Sequence, residues 1–381
     1  MLKIKNIYEK QILSLTGNIA YEVTMRLENG IRETVEIAYY ASLFSDLKNI
    51  RHYLIDIELD QSRIDNILFS LVEKQIIYRN ASICVSELTL RCLARVQKRE
   101  LYEFISATGQ ISMPIPMINM ISGNTKYNSD LDIAEFMIVP MVSGIKKRIE
   151  MSSSIYQNLK QLLEHQDLSD NTYYDGSFIP KISNNKLALD LLVKAIKQSG
   201  YVPGKDVYLA INMEASLLYL NESDCYDFNH SIMSVDQMIS YYEMLVEYYP
   251  IMAIMNPFQE NDFYALHKLT NVLKDKILIV GGKHFKSSPS IFQNRIQQEC
   301  GNAINIKLTE VTTITEMFEL LVKAKRNAYQ PILEHTNKQV RNSLVPLLSI
   351  GFQIPYIKFG SIAGQQTENY NTLIKIEERL K

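Results

Sequence analysis

Polar and apolar positions alternate with a period of two over residues 1 to about 40, then shift to a helical period. KIKNIYEKQIL, YEVTMRLENG and IRETVEIAYY predict a three-stranded meander, with Thr16-Gly17-Asn18 and Glu28-Asn29-Gly30 as turns. From about 43 to 107 the chain reads as amphipathic helices. QSRIDNILFSLVEK carries Ile64, Ile67, Leu68 and Leu71 on one face, and SELTLRCLARVQKRELYEFI follows as another helical run. Pro114 and Pro116, in the segment Gln110 to Pro116, mark a boundary. The expected division is an α+β domain over 1–112 and a second domain over 113–381.

Past the boundary come PMINMISG, an apolar run from Ala134 to Met141, and helices across 145 to 165 and Lys186 to Ser199. The polar stretch Gln166 to Asn185 is long for a passive connection, which marks it as a candidate functional segment. Further apolar runs start at Val207, Ile251, Ile277, Ala303, Gln330 and Tyr356. After the first gap they recur about every 26 residues, the length of one strand plus a crossover helix. Ser234 to Tyr248, Glu260 to Leu273, Ser288 to Gln298 and Thr315 to Asn327 supply those helices, and Asn369 to Leu380 closes the chain. Ser288 followed by Pro289 is a strong helix start. The pattern predicts parallel strands around a closed barrel. Asn212, Asn256, Lys283, Lys307, His335 and Lys358 then stand at strand ends and face one mouth, where such barrels carry their sites.

Composition narrows the classes. The 381 residues are 46% hydrophobic and 22% charged, ordinary for a globular chain, and suffice for a barrel plus a smaller domain. A formal net charge of -2 gives no reason to expect nucleic acid or an anionic membrane as partner. No apolar stretch approaches the roughly 20 residues needed to span a bilayer. MLKIKNIYEK lacks the apolar core and cleavage site of a secretory signal, so a cytoplasmic location is expected. Cys84, Cys92, Cys225 and Cys300 are scattered and read as reduced packing residues.

The chain resembles the enolase family from its first strand to its last helix. IKNIYEKQIL with TGN, SMPIPMINMISG, LDIAEFMIVP, SGYVPGKDVYLAINMEAS, DKILIVGG, NIKL and the terminal YNTLIKIEERL carry the likeness. The resemblance implies an N-terminal α+β domain capping a (β/α)8 barrel of TIM type with irregular first units, usually in a homodimer. It also implies a reaction, the glycolytic dehydration of 2-phosphoglycerate, with a lysine base, a glutamic acid and two magnesium ions.

On this resemblance the lysine base falls on Lys307, the second lysine on Lys358 and the histidine after the seventh strand on His335. The glutamate of the QEFM motif falls on Glu135. The catalytic acid falls on Asp175, about 1.5 Å shorter than a glutamate. The histidine of the GEHA loop falls on Lys126, and the arginine and serine after His335 are Thr336 and Asn337. The three carboxylates for the principal ion are replaced by Asn212, Met255 and Gly282. The serine loop reads AYYAS at 38 to 42, and an arginine that helps join subunits is Thr16. Magnesium prefers hard oxygen ligands, and an amide, a thioether and a bare glycine do not provide them.

The expectation is therefore a divergent member that does not run the magnesium-dependent step and acts as a binding, regulatory or structural protein. No cofactor is expected; magnesium enters only if the family reaction persists. Lys126, Lys283, Lys307 and Lys358 together predict a cationic mouth suited to a small phosphorylated or carboxylate anion. Two such charges about 6 Å apart repel by roughly 3 kcal/mol at an effective dielectric of 20, unless Glu135 and Asp175 offset them. The alternatives are a metal-independent enzyme using Lys307 as base, and a working phosphopyruvate hydratase.

Overall fold

The computed structural model describes residues 2–106, 109–123, 130–335 and 344–380. β1 (Ile4–Leu13), β2 (Ile19–Leu27) and β3 (Arg32–Ala38) form the expected antiparallel meander. Alternate residues Tyr21, Val23, Met25 and Leu27 of the middle strand β2 turn inward and are buried. Against that face pack α1 (Leu43–Leu54), α2 (Gln61–Glu73) and α3 (Arg79–Val96). Asp60 caps α2 by accepting from the Arg63 backbone N–H at 2.7 Å. The run expected as one helix through residue 105 breaks. Lys98 adopts φ 54, and the Arg99 N–H closes back on the Ala94 carbonyl at 3.1 Å, so α4 (Leu101–Ile105) starts afresh.

The rest is a closed barrel. Its strands are β4 (Ile115–Ser122) and β5 (Glu135–Pro140), then, after α5 (Ile145–His165) and α6 (Asn185–Gln198), β6 (Val207–Asn212). A small sheet follows, β7 (Tyr219–Leu220), β8 (Cys225–Phe228) and β9 (Ser231–Met233). Then come α7 (Val235–Tyr248), β10 (Ile251–Met255), α8 (Phe263–Leu273), β11 (Leu278–Gly281), α9 (Pro289–Gln297) and β12 (Ala303–Lys307). The last units are α10 (Ile314–Arg326), β13 (Gln330–Glu334), α11 (Leu344–Gly351), β14 (Tyr356–Gly360) and α12 (Thr367–Arg379). Neighbouring strands are parallel except β5, which runs antiparallel to both β4 and β6. That reversal matters for the site. Because β5 runs backwards, its first residue, Glu135, lies opposite Asn212 at the end where the other strands finish.

Met117, Met137, Val139, Ala210, Ala253, Met255, Val280, Ala303 and Ile332 fill the barrel interior. Mixing small and long side chains closes the bore, so it is a packed core with a mouth at one end. The helices α2 and α3 grip the loop after β12. Ser82 Oγ donates to the Thr312 carbonyl at 2.8 Å, Ser86 Oγ accepts from the Ile314 N–H at 2.9 Å, and Asp65 accepts from the Thr315 N–H at 3.0 Å. The last two satisfy N–H donors at the start of α10 that would otherwise lie unpaired. All four cysteines are free thiols, and burial pushes Cys92 up to about 12 and Cys300 to about 11. Among the described residues no helix is long and apolar enough to cross a membrane.

Candidate functional site

The mouth encloses about 270 Å³, lined among others by Glu135, Asp175, Asn212, Lys307, His335 and Lys358. The loop between α5 and α6 contributes Tyr173, Tyr174 and Asp175, so the long polar stretch does reach the site. Lys126, Thr336 and Asn337 lie outside the described residues.

Lys358 is the centre of one half. It is 4% exposed, and its Nζ stands 2.8 Å from Glu135 Oε2 and 2.9 Å from Glu334 Oε1. The second Glu334 oxygen accepts from Asn305 Nδ2. Burial alone would lower the Lys358 pKa, but the two carboxylates outweigh it and push it well above the usual lysine range. Burial would likewise raise Glu334, and Lys358 with Lys307 outweighs it, holding that carboxyl well below the usual range. Glu135 shifts upward, because burial wins over its share of Lys358. The contrast has a physical basis. One ammonium is divided between two carboxylates that each also accept an amide N–H, and Glu334 alone of the pair also feels Lys307.

The other half is built where the resemblance places metal ligands. Asn212 Nδ2 donates to Glu135 Oε2 at 2.9 Å and to Glu214 Oε1 at 3.2 Å. Asn256 Nδ2 donates to Asn212 Oδ1 at 2.9 Å and to Glu214 Oε1 at 3.1 Å. Lys283 Nζ pairs with Glu214 Oε2. Burial raises the Glu214 pKa, and Lys283 more than reverses this, leaving it below the usual range. Met255 is wholly buried in the barrel interior. Gly282 has a steric reason: a Cβ there would sit 2.8 Å from Asn256 Oδ1, the atom that accepts the Lys283 backbone N–H at 3.1 Å.

Lys307 Nζ lies 3.5 Å from Glu310 Oε1, and Ser287 Oγ donates to the other Glu310 oxygen at 2.8 Å. Glu334 raises the Lys307 pKa, against a smaller opposing effect of burial, so the amine stays protonated. Asp175 has both oxygens engaged as acceptors: Oδ1 takes the Ser177 N–H at 3.0 Å and its hydroxyl at 2.5 Å, and Oδ2 takes Asn119 Nδ2 at 3.0 Å. His335 is 9% exposed, and burial holds it at about 4, a neutral ring at physiological pH. Ser42 opens α1 with its hydroxyl 3.4 Å from Asp46, and it is not among the residues lining the mouth.

The lysines expected to make the mouth cationic are paired wherever they fall among the described residues. Each of Lys283, Lys307 and Lys358 has a carboxylate partner, and Glu135, Glu214, Glu334 and Asp175 line the mouth beside Lys307 and Lys358. Glu214 and Glu334 escaped the strand-end reading. One stands two residues past Asn212 and the other one residue before His335. A search for acidic residues within two positions of each strand end finds both.

Magnesium requires several oxygen ligands near octahedral geometry. Here the Asn212 and Asn256 amide oxygens are taken by N–H donors, and Glu214 is taken by an ammonium. Among the described residues no group of three or more His, Cys, Asp or Glu side chains is placed to hold a metal ion. The donor set does not fit that ion.

A capping α+β layer, a closed barrel with one reversed strand, and a charged cluster at the strand ends define a (β/α)8-type barrel protein with its site at the mouth. Comparison with known sequences narrows this. The family model for the enolase C-terminal TIM barrel domain matches residues 110–381. An enolase from Corynebacterium kroppenstedtii is 30% identical over 326 residues, spanning 84% of this chain and 76% of that protein. The chain belongs to the enolase family.

Proposed function

We infer that this chain is a family member that has left the magnesium-dependent dehydration of 2-phosphoglycerate and works as a binding or regulatory protein, as a cytoplasmic homodimer. The observation that carries the reading is the state of the would-be metal half: Asn212, Met255 and Gly282 offer no carboxylate, and the nearby Glu214 is held by Lys283. Enolate chemistry leans on electrostatic stabilisation by the ion, so losing its ligands removes the largest catalytic contribution.

A metal-independent enzyme with Lys307 as base and Asp175 or Glu135 as acid draws support only from their common pocket. Against it, Lys307 holds its proton through Glu334, and Asp175 has both oxygens committed to donors. Calorimetric titration with Mg2+ and 2-phosphoglycerate, joined to a coupled assay of phosphoenolpyruvate formation, tests the reading. No heat of specific binding and no turnover are expected. Micromolar binding of both, with turnover, would overturn it.

A further inference from the structure

Charge is unevenly placed along the chain. Its 42 acidic and 40 basic residues nearly balance, yet residues 206–267 hold ten carboxylates and no lysine or arginine. The small sheet β7–β9, α7 and the start of α8 all fall in this stretch. On the outer face of the sheet Asp227 lies opposite Ile232 and Leu220 opposite Cys225, with Glu222 and Asp224 exposed in the connecting turn. Tyr226 and Phe228 form the inner face and are fully buried. A capping box at Ser234 and Gln237 carries the chain directly into α7. There Asp236, Ser240, Glu243 and Glu247 recur at helical spacing and are exposed, opposite the buried Met238, Ile239, Tyr242 and Leu245. The carboxylates of this stripe span about 16 Å of helix. Most of the charge is unanswered. Among the described residues Asp236 pairs with Lys268, while Glu222, Asp227, Glu243 and Glu247 have no basic side chain within ion-pair distance. Glu243 and Glu247, one turn apart, repel each other, which weakens α7 and gains nothing within the chain. Apolar side chains stand exposed among them, Ile232 at 56% and Tyr248 at 73%.

We propose that the outer faces of β7–β9 and α7 form a docking surface for a lysine- and arginine-rich segment of another protein. Its cations answer the unpaired carboxylates, and their alkyl stems lie on Leu220, Ile232 and Tyr248 while the charged heads stay in water. The exposed apolar side chains favour a polypeptide over a small polyamine, and the negative field repels nucleic acid and anionic lipid. The inference deepens the reading of this chain as a binding protein and rests on it.

Fluorescence anisotropy of a labelled peptide of alternating lysine and leucine, titrated with the full chain, tests it. Saturable binding that weakens as salt is raised is expected. Asp227→Lys/Glu243→Lys/Glu247→Lys should lose roughly tenfold or more in affinity, and Ile232→Ser about threefold. Glu150→Lys/Glu164→Lys/Glu368→Lys makes the same change of net charge at exposed positions of α5 and α12, and should keep most of the binding. Asp227→Asn/Glu243→Gln/Glu247→Gln carries the test if the lysine variant does not fold. No saturable binding by wild type, or an equal loss in the α5 and α12 variant, overturns the proposal. So does spermine that displaces the peptide at equal affinity, or self-association of the chain that the patch variants abolish, which assigns the face to a second copy. Turnover of 2-phosphoglycerate with Mg2+ overturns the functional reading instead, whatever the peptide does.

Discussion

Lys358→Met is the most direct probe of what holds the mouth together. The ammonium lies 2.8 and 2.9 Å from two carboxylate oxygens, which corresponds to about 6 kcal/mol of gross attraction to each at an effective dielectric of 20. Most of that is offset by the desolvation of three charged groups. What the substitution exposes is the asymmetry: Glu135 and Glu334 stay behind with no counter-charge between them, a loss typically of about 3–5 kcal/mol. In the wild type the contribution is flat across neutral pH. Glu334, with its depressed pKa, supplies stability above the ordinary carboxylate value of about 4.3 and loses it as the pH falls through its folded value. Lys358, with its raised pKa, supplies stability below about 10.4 and loses it only above its folded value. In the variant both stranded carboxylates rise in pKa, so the deficit should be full at pH 8 and smaller at pH 5. Urea denaturation midpoints at both values measure this. Lys358→Met/Glu135→Gln/Glu334→Gln should recover most of the loss, because neutral groups need no counter-charge. A deficit under about 1 kcal/mol at pH 8, or one that grows at pH 5, would refute the reasoning.

Gly282→Asp should destabilise by about 1–3 kcal/mol in thermal denaturation, since its Cβ displaces the Asn256 amide from the Lys283 N–H; an unchanged midpoint would contradict this. Asp175→Asn places an amide N–H against donors from Ser177 or Asn119, and should cost about 1–3 kcal/mol and speed proteolysis within residues 166–184. His284 and His335 are both held at about 4 by burial, so the unfolded chain binds more protons than the folded one between about pH 4 and 6.5. Stability should therefore fall as pH drops through that window, and His284→Gln/His335→Gln should flatten the slope measured by denaturation at pH 7 and 5. An identical slope in the variant would rule the histidines out as its source.

The parallel strands were readable because each is buried on both faces and appears as an apolar run, as at Ile251–Met255 and Ala303–Lys307. The first meander was readable for the opposite reason, alternation with one wet face. Three short strands at Tyr219–Leu220, Cys225–Phe228 and Ser231–Met233 were not, because two to four residues are too few to establish a period. At the mouth the lysines, His335 and Glu135 stood out through their place in the pattern. Their partners did not. Glu214 reaches the cluster only because its backbone turns left-handed, and a strand pattern carries no sign of that. Without Glu214, Glu310 and Glu334 the same lysines look like an anion site.

Gly282 and Asn256 also bear on how this mouth can change over generations. A carboxylate arriving first at position 282 collides with the Asn256 amide; an amide lost first strands the Lys283 N–H. Either order passes through a weaker protein, and Lys283 must leave as well before Glu214 is free. An acidic side chain at position 282 therefore requires coordinated substitutions at three sites.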